Sequence, residues 1–419
     1  MLMNVQLNYD KEKLNIEIKA ENIIGVLKPN LVDYNLSGVE EVRRALREPI
    51  CSKRLKDIVK PGEKIIIVTS DITRPMPSKL VVPEILHELH EAGVGNEDIK
   101  IVFALGIHRH HSEEDRKYLV GEDVYHQIEC LDSDIDNVKL LGYTSRGTPV
   151  EIFKPVTEAD RVICLGNIEY HYFAGYSGGA KALLPGVASH RTIQANHSRM
   201  INEYAKSGNA ENNPIRNDIE KVAQYVPIDF ILNVVLDDQK NIVKAVAGDY
   251  IEAHREGCRF LDRLYKVNIK EKADIVIASP GGFPKDINLY QAQKALDNAK
   301  DAVKDGGVII LAGSCKEGFG EPVFERWIKN MRTPDEIIAE IQKNFELGGH
   351  KAAAIAMVSK KCAIFLVSDL EEAIVKEIFV EPFSNVQAAL NEAFNRLGRQ
   401  SKVIIMPYGG STLPFYSGD

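Results

Sequence analysis

Residues 162–200 read VICLGNIEYHYFAGYSGGAKALLPGVASHRTIQANHSRM. The apolar run at the start of this stretch predicts a buried strand, and a glycine-rich turn follows it with Lys181 directly behind. His171 precedes the turn, and His197 follows it beyond a helix-breaking Pro-Gly pair. Because glycines let a ligand approach the backbone closely, an amine and two imidazoles around such a turn indicate a chemical site.

Ordinary structural roles are the alternative for the same residues. A single histidine is more often a hydrogen-bonded core or surface residue, and a lysine behind glycines is usually solvated. The segment GYSGGAKA is similar to a phosphate-binding loop, but the pattern G-x-x-x-x-G-K-[ST] is not met, because Ala180 precedes the lysine and Ala182 follows it. The hydroxyl that would bind magnesium is therefore missing, which disfavours a P-loop nucleotide hydrolase.

Composition limits the classes of protein that fit this chain. Its 419 residues, 44% hydrophobic and 27% charged, predict two or three domains with full cores. The net charge of −8 disfavours nucleic acid and an anionic membrane surface as partners. The six cysteines lie far apart without a C-x-x-C pair, which predicts a cytoplasmic protein without zinc ribbon or disulfide framework. We expect no signal segment and no transmembrane helix.

Strands and helices alternate along most of the chain, which predicts the α/β class, with two α/β domains and mainly parallel sheets. Four strands of the second half follow one another as DIVIASPGG, GGVIILAGSC, CAIFLVSD and KVIIMPYGG, with helices between them. The predicted domains span 1–268 and 269–419. We expect the tail after about residue 407 to pack on the first domain.

Polar segments follow the predicted strands repeatedly. They are SDITRP (70–75), GIHRHH (106–111), the stretch that opens this section, and GGFPKDINLYQAQK (281–294). Ligands of parallel sheets bind beyond the carboxyl ends of the strands. The segments therefore predict one polar active-site cleft between the two domains, and the side chains that they contribute are Asp71, Arg74, His108, His171, Lys181, Lys285 and Lys294.

Each of these segments also has a simpler interpretation. SDITRP is either a capped turn or an anion site built from backbone N–H groups, a hydroxyl and a guanidinium. The HRHH sequence is equally typical of a solvated basic loop. Tyr290 and Lys294 share one face of a predicted helix, which without context is most often a surface face.

Taken together and in this order, the segments resemble the nickel-dependent lactate racemase family. The resemblance covers SDITRP, GIHRHH, EYHYFAGYSGGAKALLPG, the Asn-His pair at 196–197, and GGFPKDINLYQAQK. It implies an enzyme that interconverts D- and L-2-hydroxy acids by hydride transfer. It also implies a nickel-pincer nucleotide (pyridinium-3-thioamide-5-thiocarboxylic acid mononucleotide with Ni) as cofactor, and cofactor-maturation enzymes as partners.

The resemblance assigns cofactor roles to four residues. Lys181 matches the lysine that is joined covalently to the cofactor, and His197 matches the nickel ligand. Asp71 and Thr73 lie in the segment that resembles the family's cofactor-binding loop. A single imidazole is a plausible fourth ligand for a square-planar nickel site.

The resemblance also assigns the substrate chemistry. His108 and His171 match the pair of acid–base histidines, one for each enantiomer. Hydride removal avoids a carbanion next to a carboxylate, and imidazole can take and return the hydroxyl proton near neutral pH. The residues that match substrate-binding positions are Arg74, Tyr290, Gln291 and Lys294.

Several alternatives stay open at this stage. The substrate could be another 2-hydroxy acid, such as malate or a longer sugar acid, and His350 or Lys351 in LGGHKAAAIA (347–356) could meet its second carboxylate. The same segment fits a helix start with a solvated lysine. A nucleotide- or phosphate-binding protein without redox chemistry is a rival of another class, and a metal-dependent hydrolase is disfavoured because no H-E-x-x-H pattern occurs. The sequence does not predict an oligomeric state.

Overall fold

The computed structural model describes residues 1–416 and 418, and the chain forms two compact units. We call Val32–Asp262 the central unit, and we call Met1–Leu31 together with the chain from Arg263 onward the terminal unit. The predicted boundary at 268/269 lies close to the point between Asp262 and Arg263 where the chain passes from the central unit back to the terminal unit. The expectation that residues 1–31 belong to the first domain differs from this division.

The terminal unit begins with a hairpin, as the alternating pattern of residues 3–19 predicts. β1 (Leu2–Tyr9) and β2 (Glu12–Lys19) pair antiparallel along their full lengths, and β3 (Ile23–Val26) follows. The alternation turns Leu7, Ile16 and Ile18 into a core that also contains residues beyond 270. This shared core is the reason why the first residues of the chain belong with its last ones.

The central unit alternates strands and helices. Its strands are β4 (Ile65–Ser70), β5 (Ile99–Ala104), β6 (Glu129–Asp132), β7 (Val138–Tyr143), β8 (Pro149–Phe153), β9 (Arg161–Asn167), β10 (Tyr170–His171), β11 (Gly175–Tyr176), β12 (Phe230–Leu236) and β13 (Ile242–Gly248). Its helices are α1 (Gly38–Arg47), α2 (Ser78–Glu91), α3 (Glu113–Val120), α4 (Glu122–Gln127), α5 (Lys154–Thr157), α6 (His190–His197), α7 (Pro214–Lys221) and α8 (Glu252–Tyr265), the last of which continues into the terminal unit.

Six of these strands form the central sheet in the order β13-β12-β9-β4-β5-β6. All neighbours are parallel except β12 and β13. The buried strand predicted at the start of the 162–200 stretch is therefore confirmed as β9, which is parallel to both of its neighbours. From β4 the chain builds the sheet first toward β6 and then, through β9, toward β13. The strand order reverses between β4 and β9, and such a switch point is where α/β sheets bind ligands.

The remainder of the terminal unit is a second α/β layer structure. Its strands are β14 (Lys266–Ile269), β15 (Ala273–Ala278), β16 (Val303–Ala312), β17 (Ala363–Val367), β18 (Glu381–Phe383), β19 (Val403–Met406) and β20 (Leu413–Tyr416). Its helices are α9 (Leu289–Ala299), α10 (Pro322–Asn330), α11 (Pro334–Lys343), α12 (Gly349–Ser359), α13 (Glu372–Val375) and α14 (Val386–Leu397).

The terminal sheet has the order β18-β17-β16-β15-β19-β3, and all of its neighbours are parallel. Its strand order reverses between β15 and β19. In the tail, β20 pairs with β14, and both strands lie in the terminal unit. The prediction of an α/β fold with mainly parallel sheets is confirmed in both units. Within residues 1–416 and 418, no helix is long and apolar enough to cross a membrane.

Candidate active site

The loop after β4 and the loop after β5 meet through a carboxylate–imidazole pair. Asp71 Oδ2 lies 2.7 Å from His108 Nδ1, and the hydroxyl of Thr73 donates to both Asp71 oxygens at 3.0 Å. Asp71 is buried, yet its pKa is held below the ordinary value, because bonds from His108 and Thr73 and the nearby Arg74 charge outweigh desolvation. An ionised carboxylate only accepts, so His108 carries its proton on Nδ1 and presents a lone pair on Nε2.

A second histidine of the HRHH sequence supports this pair. The N–H of Ile72 donates to His111 Nε2 at 3.2 Å, and His111 Nδ1 lies 2.8 Å from Asp132 Oδ1. His111 is buried, whereas Arg109 and His110 are exposed. The solvated-loop interpretation therefore holds for Arg109 and His110. His111 instead connects the loop after β4 to the loop after β5 through its hydrogen bonds.

His171 lies in the short ribbon of β10 and β11 that follows β9. Its Nδ1 accepts the N–H of Ala174 at 3.2 Å, so the neutral ring carries its proton on Nε2. The ring stacks on Tyr172 and meets the edge of Phe173 at a centroid distance of 4.4 Å. Its pKa lies well below the ordinary value, first because of burial and then because of nearby positive charges such as that of Arg74.

The glycine-rich turn is held by a buried arginine. Arg216 is fully buried in α7, and its guanidinium donates to the carbonyls of Ala174 (3.3 Å), Gly178 (3.3 Å) and Tyr176. Gly178 has φ +76°, and a Cβ there would lie 2.8 Å from Asn233 Oδ1, so only glycine fits.

Two further side chains complete the support of the turn. His254 is fully buried in α8 and donates from Nε2 to the carbonyl of Ser177 at 2.8 Å. Asn233 on β12 accepts the N–H of Gly179 at 2.7 Å. The backbone of the turn is thus bonded on several sides, which fixes the position of the residue that follows it.

Lys181 follows this turn in a 3-10 helix, Gly179–Ala182, and its N–H donates to the Gly178 carbonyl at 3.3 Å. The pKa of its amine lies well below the ordinary value, because of burial first and then of the positive charges of Arg216 and Arg74, which outweigh the charge of Glu169. A lower pKa favours the neutral, nucleophilic form of an amine, so Lys181 is suited to covalent attachment of a ligand.

Arg74 and His197 are placed around the same turn. Arg74 Nη1 lies 3.9 Å from Glu169 Oε1, with about 41% of its side chain exposed, so the guanidinium stays open to an anion. His197 is buried at the C-terminal end of α6, and its ring meets the edge of Phe173 at a centroid distance of 4.9 Å. Phe173 therefore touches the rings of both His171 and His197.

In the terminal unit, α9 begins beyond the carboxyl end of β15. Asn288 caps the helix by accepting the N–H of Gln291 at 2.9 Å, and Tyr290, Gln291 and Lys294 lie in its first two turns. Lys351 is buried, lies 3.9 Å above the Tyr290 ring, and donates to the Tyr290 carbonyl. The helix start predicted for 347–356 is confirmed as α12, but its lysine is not solvated.

Comparison with known proteins identifies the family. A profile described as "Lactate racemase N-terminal domain" matches residues 9–208, and one described as "Lactate racemase C-terminal domain" matches residues 268–413. The chain belongs to the lactate racemase family. Curated lactate racemases from Thermoanaerobacterium thermosaccharolyticum and Lactiplantibacillus plantarum are 37% and 33% identical to it, over 98% and 97% of this chain and 99% of each relative.

Solved structures agree with this membership. The lactate racemase apoprotein from Thermoanaerobacterium thermosaccharolyticum matches with a TM-score of 0.90 at 37% identity, and the match covers 99% of this chain and 100% of that one. A Thermotoga maritima protein at 18% identity shares the fold, with a TM-score of 0.65 over 91% of this chain. The lactate racemase family consists of isomerases, so the chain is an enzyme of that class.

For a member of the lactate racemase family, the predicted site residues fall into two sets. The central unit holds Asp71, Thr73, Arg74, His108, His171, Lys181 and His197, which are linked by direct bonds or by the electrostatic effects described above. The terminal unit holds Tyr290, Gln291 and Lys294. Sequence reasoning missed the residues that support the first set, because they lie 38 to 77 positions from the residues that they contact: His111, Arg216, Asn233 and His254.

Proposed function

We propose that the protein is a lactate racemase that interconverts D- and L-lactate with a nickel-pincer nucleotide bound to Lys181. The observation that carries the proposal is the amine of Lys181 behind the glycine-rich turn, with its pKa lowered by burial, together with the imidazoles of His171 and His197, which both contact Phe173. Family membership supports the reaction class. The six free thiols support a reducing compartment, and we propose the cytoplasm.

The residues present fit the proposed cofactor. Formation of an amide-type bond requires an amine that has lost its proton, and the environment of Lys181 lowers the pKa of this amine. A square-planar nickel ion accepts imidazole, and His197 supplies one in a buried position close to the turn. When bound, the cofactor would accept hydride from the substrate Cα and return it to the opposite face.

The chain itself would handle the proton of the substrate hydroxyl. His108 presents its Nε2 lone pair as a base, and Asp71 holds the ring and stabilises the imidazolium that forms. His171 presents Nε2–H and would thus donate a hydrogen bond to the substrate oxygen when His108 is the base. For the second enantiomer His171 would be the base. In that role the neutral ring would carry its proton on Nδ1, which would break the contact with the Ala174 N–H, and Nε2 would hold the lone pair that accepts the hydroxyl proton.

The substrate carboxylate would bind to Arg74. A guanidinium offers two parallel N–H groups to a carboxylate, which fixes the face that the substrate presents. Tyr290, Gln291 and Lys294 are proposed as further substrate-binding residues, with Lys294 polarising the developing carbonyl. Their assignment rests on the family resemblance.

A longer substrate with a second carboxylate, such as malate, is the nearest alternative. His350 and Lys351 were the candidates for that carboxylate. His350 is buried and its Nδ1 accepts the Gly348 N–H at 3.0 Å, and the Lys351 ammonium group lies over the Tyr290 ring and donates to the Tyr290 carbonyl. This arrangement favours a substrate of the size of lactate.

The test is a racemase assay on protein from cells that make the cofactor, with D-lactate, L-lactate, both malates and a longer 2-hydroxy acid as substrates. We expect racemisation of lactate, one nickel per chain by elemental analysis, and an added mass on the tryptic peptide that contains Lys181. The control is another family member that the same cells load with cofactor. If those cells yield this protein without nickel and without an added mass, the proposal is contradicted. Such a protein that binds a nucleotide would favour the binding-protein alternative.

A further inference from the structure

The side chain next to His197 makes hydrogen bonds that decide which nitrogen of the imidazole carries the proton. Asn196 is fully buried, and its Nδ2 donates to Asp218 Oδ2 at 3.0 Å and to the Ile215 carbonyl at 3.3 Å. Its Oδ1 lies 2.9 Å from His197 Nδ1. A carboxylate and a backbone carbonyl only accept, so the NH2 group of Asn196 must face them and its oxygen must face His197.

This orientation fixes the tautomer of His197. An amide oxygen only accepts, so Nδ1 of His197 must carry the proton and donate to it. The lone pair is then on Nε2, the nitrogen on the far side of the ring. A neutral imidazole with its lone pair on Nε2 is the form that can bind a metal ion through that atom.

Asp218 is itself held in place on α7. It is fully buried, and it accepts the hydroxyls of Thr144 at 2.5 Å and Thr148 at 2.6 Å, one on each oxygen. Arg199 lies 3.6 Å from the oxygen that also meets Asn196. Thr144 and Thr148 from the β7–β8 turn therefore orient the Asp218 carboxylate, which accepts from the Asn196 amide. The Asn196 oxygen in turn orients the His197 ring.

We propose that Asp218 and Asn196 are positioning residues that hold His197 as the Nδ1–H tautomer with Nε2 directed to nickel. The proposal rests on the proposed function, in which His197 is the nickel ligand. Outer residues that orient a metal-binding histidine typically change metal affinity by about 10- to 100-fold when they are removed. Neither residue would touch the cofactor or the substrate.

The first experiment measures the tautomer in the protein without cofactor. Long-range proton–nitrogen NMR on ¹⁵N-histidine-labelled protein distinguishes Nδ1–H from Nε2–H, and His197→Gln assigns the signal. We expect the wild type to show Nδ1–H alone. An Nε2–H signal for His197 in the wild type would overturn the proposal, whatever the cofactor chemistry.

Three variants distinguish an effect of the Asp218–Asn196–His197 hydrogen bonds, which we call the relay, from a general disturbance of packing. Asn196→Leu removes the amide and should give a mixture of tautomers. Asp218→Asn keeps an oxygen for the Asn196 amide and should keep Nδ1–H. Thr144→Val is the matched control, since it removes a buried hydrogen bond to the same carboxylate but on its other oxygen, and should also keep Nδ1–H. Equal disturbance of the tautomer by Asn196→Leu and Thr144→Val would contradict the relay.

The second experiment uses protein purified from cofactor-producing cells. Asn196→Leu should keep the mass added at Lys181 and lose nickel during dialysis about 10- to 100-fold more readily than the wild type and Thr144→Val. Unchanged nickel retention in Asn196→Leu would overturn the proposal. If the wild type carries neither nickel nor added mass, the proposed function fails, whereas the NMR experiment still decides the tautomer.

Discussion

Burial and neighbouring charges determine the protonation of individual side chains in the central unit. Arg216 cannot lose its proton in water, and it keeps its charge inside the protein by donating to several backbone carbonyls of the glycine-rich turn. That charge and that of Arg74 act on the amine of Lys181, which is partly buried beside them. The environment thus favours the neutral amine, although lysine is ordinarily protonated up to a pH of about 10.4.

Lys181 should therefore react with amine reagents at unusually low pH. In the protein without cofactor, we expect the midpoint of acetylation of Lys181 against pH to lie well below that of exposed Lys53, because only the neutral amine reacts. Peptide mass spectrometry after brief labelling gives both profiles in one sample, each scaled to its own plateau. A shared midpoint for the two lysines would contradict the proposed activation.

The Asp71–His108 pair gives a second prediction for single residues. Asp71→Asn should lower kcat by about 10²–10⁴-fold in cofactor-loaded enzyme, because the amide no longer requires His108 to carry its proton on Nδ1. Asp132→Asn is a matched control, since Asp132 forms a pair of similar length, 2.8 Å, with His111. It should cost stability with a much smaller loss of kcat, and steady-state kinetics of the two variants measure the difference.

On the scale of elements, the turn at 174–182 depends on α7, α8 and β12. His254 donates its Nε2 proton to the turn, and burial first and then nearby arginines hold its pKa well below the ordinary value. The folded protein thus keeps His254 neutral, whereas the unfolded chain binds a proton below a pH of about 6.5. At pH values between the pKa of His254 in the folded protein and about 6.5, the unfolded state binds more protons than the folded state. The free energy of unfolding therefore falls as the pH falls in this range.

Replacement of His254 should weaken this pH dependence. His254→Gln keeps a side-chain N–H for the turn, and between pH 7.5 and pH 5 it should lose less unfolding free energy than the wild type. His87→Gln is the control for the replacement of a histidine that is exposed. Urea titrations at several pH values measure the slopes, and parallel profiles for wild type and His254→Gln would show that His254 does not set them.

The inner strands of both sheets could be predicted from the sequence because parallel strands are buried on both faces and appear as β-branched apolar runs. The polar segments at their carboxyl ends were equally visible. The supports of the turn were not, since an arginine in α7 or a histidine in α8 looks like any residue of a helix until tertiary contacts define its neighbours. β3 was missed for the same reason: it is four residues long and pairs with β19, which lies about 380 positions later in the chain.

On the scale of the whole molecule, the chain begins and ends in the same unit. β1 and β2 contribute to the hydrophobic core of the terminal sheet, which also contains residues of β15 and α14. Contacts between such distant parts of the sequence cost chain entropy and are formed only when the large apolar area they bury compensates for it. The first hairpin is thus a structural part of the terminal unit rather than an appendage.

A cavity in that core tests this organisation. Leu7→Ala removes a fully buried side chain and should destabilise the terminal unit by about 2–5 kcal/mol. Hydrogen–deuterium exchange should then rise in peptides from β15, β19 and α14, while β4, β5 and β9 of the central unit keep their protection. Leu2→Ala is the control, because Leu2 is 64% exposed and should change neither unit. Faster exchange confined to the central sheet in Leu7→Ala would contradict the assignment of the first hairpin to the terminal unit.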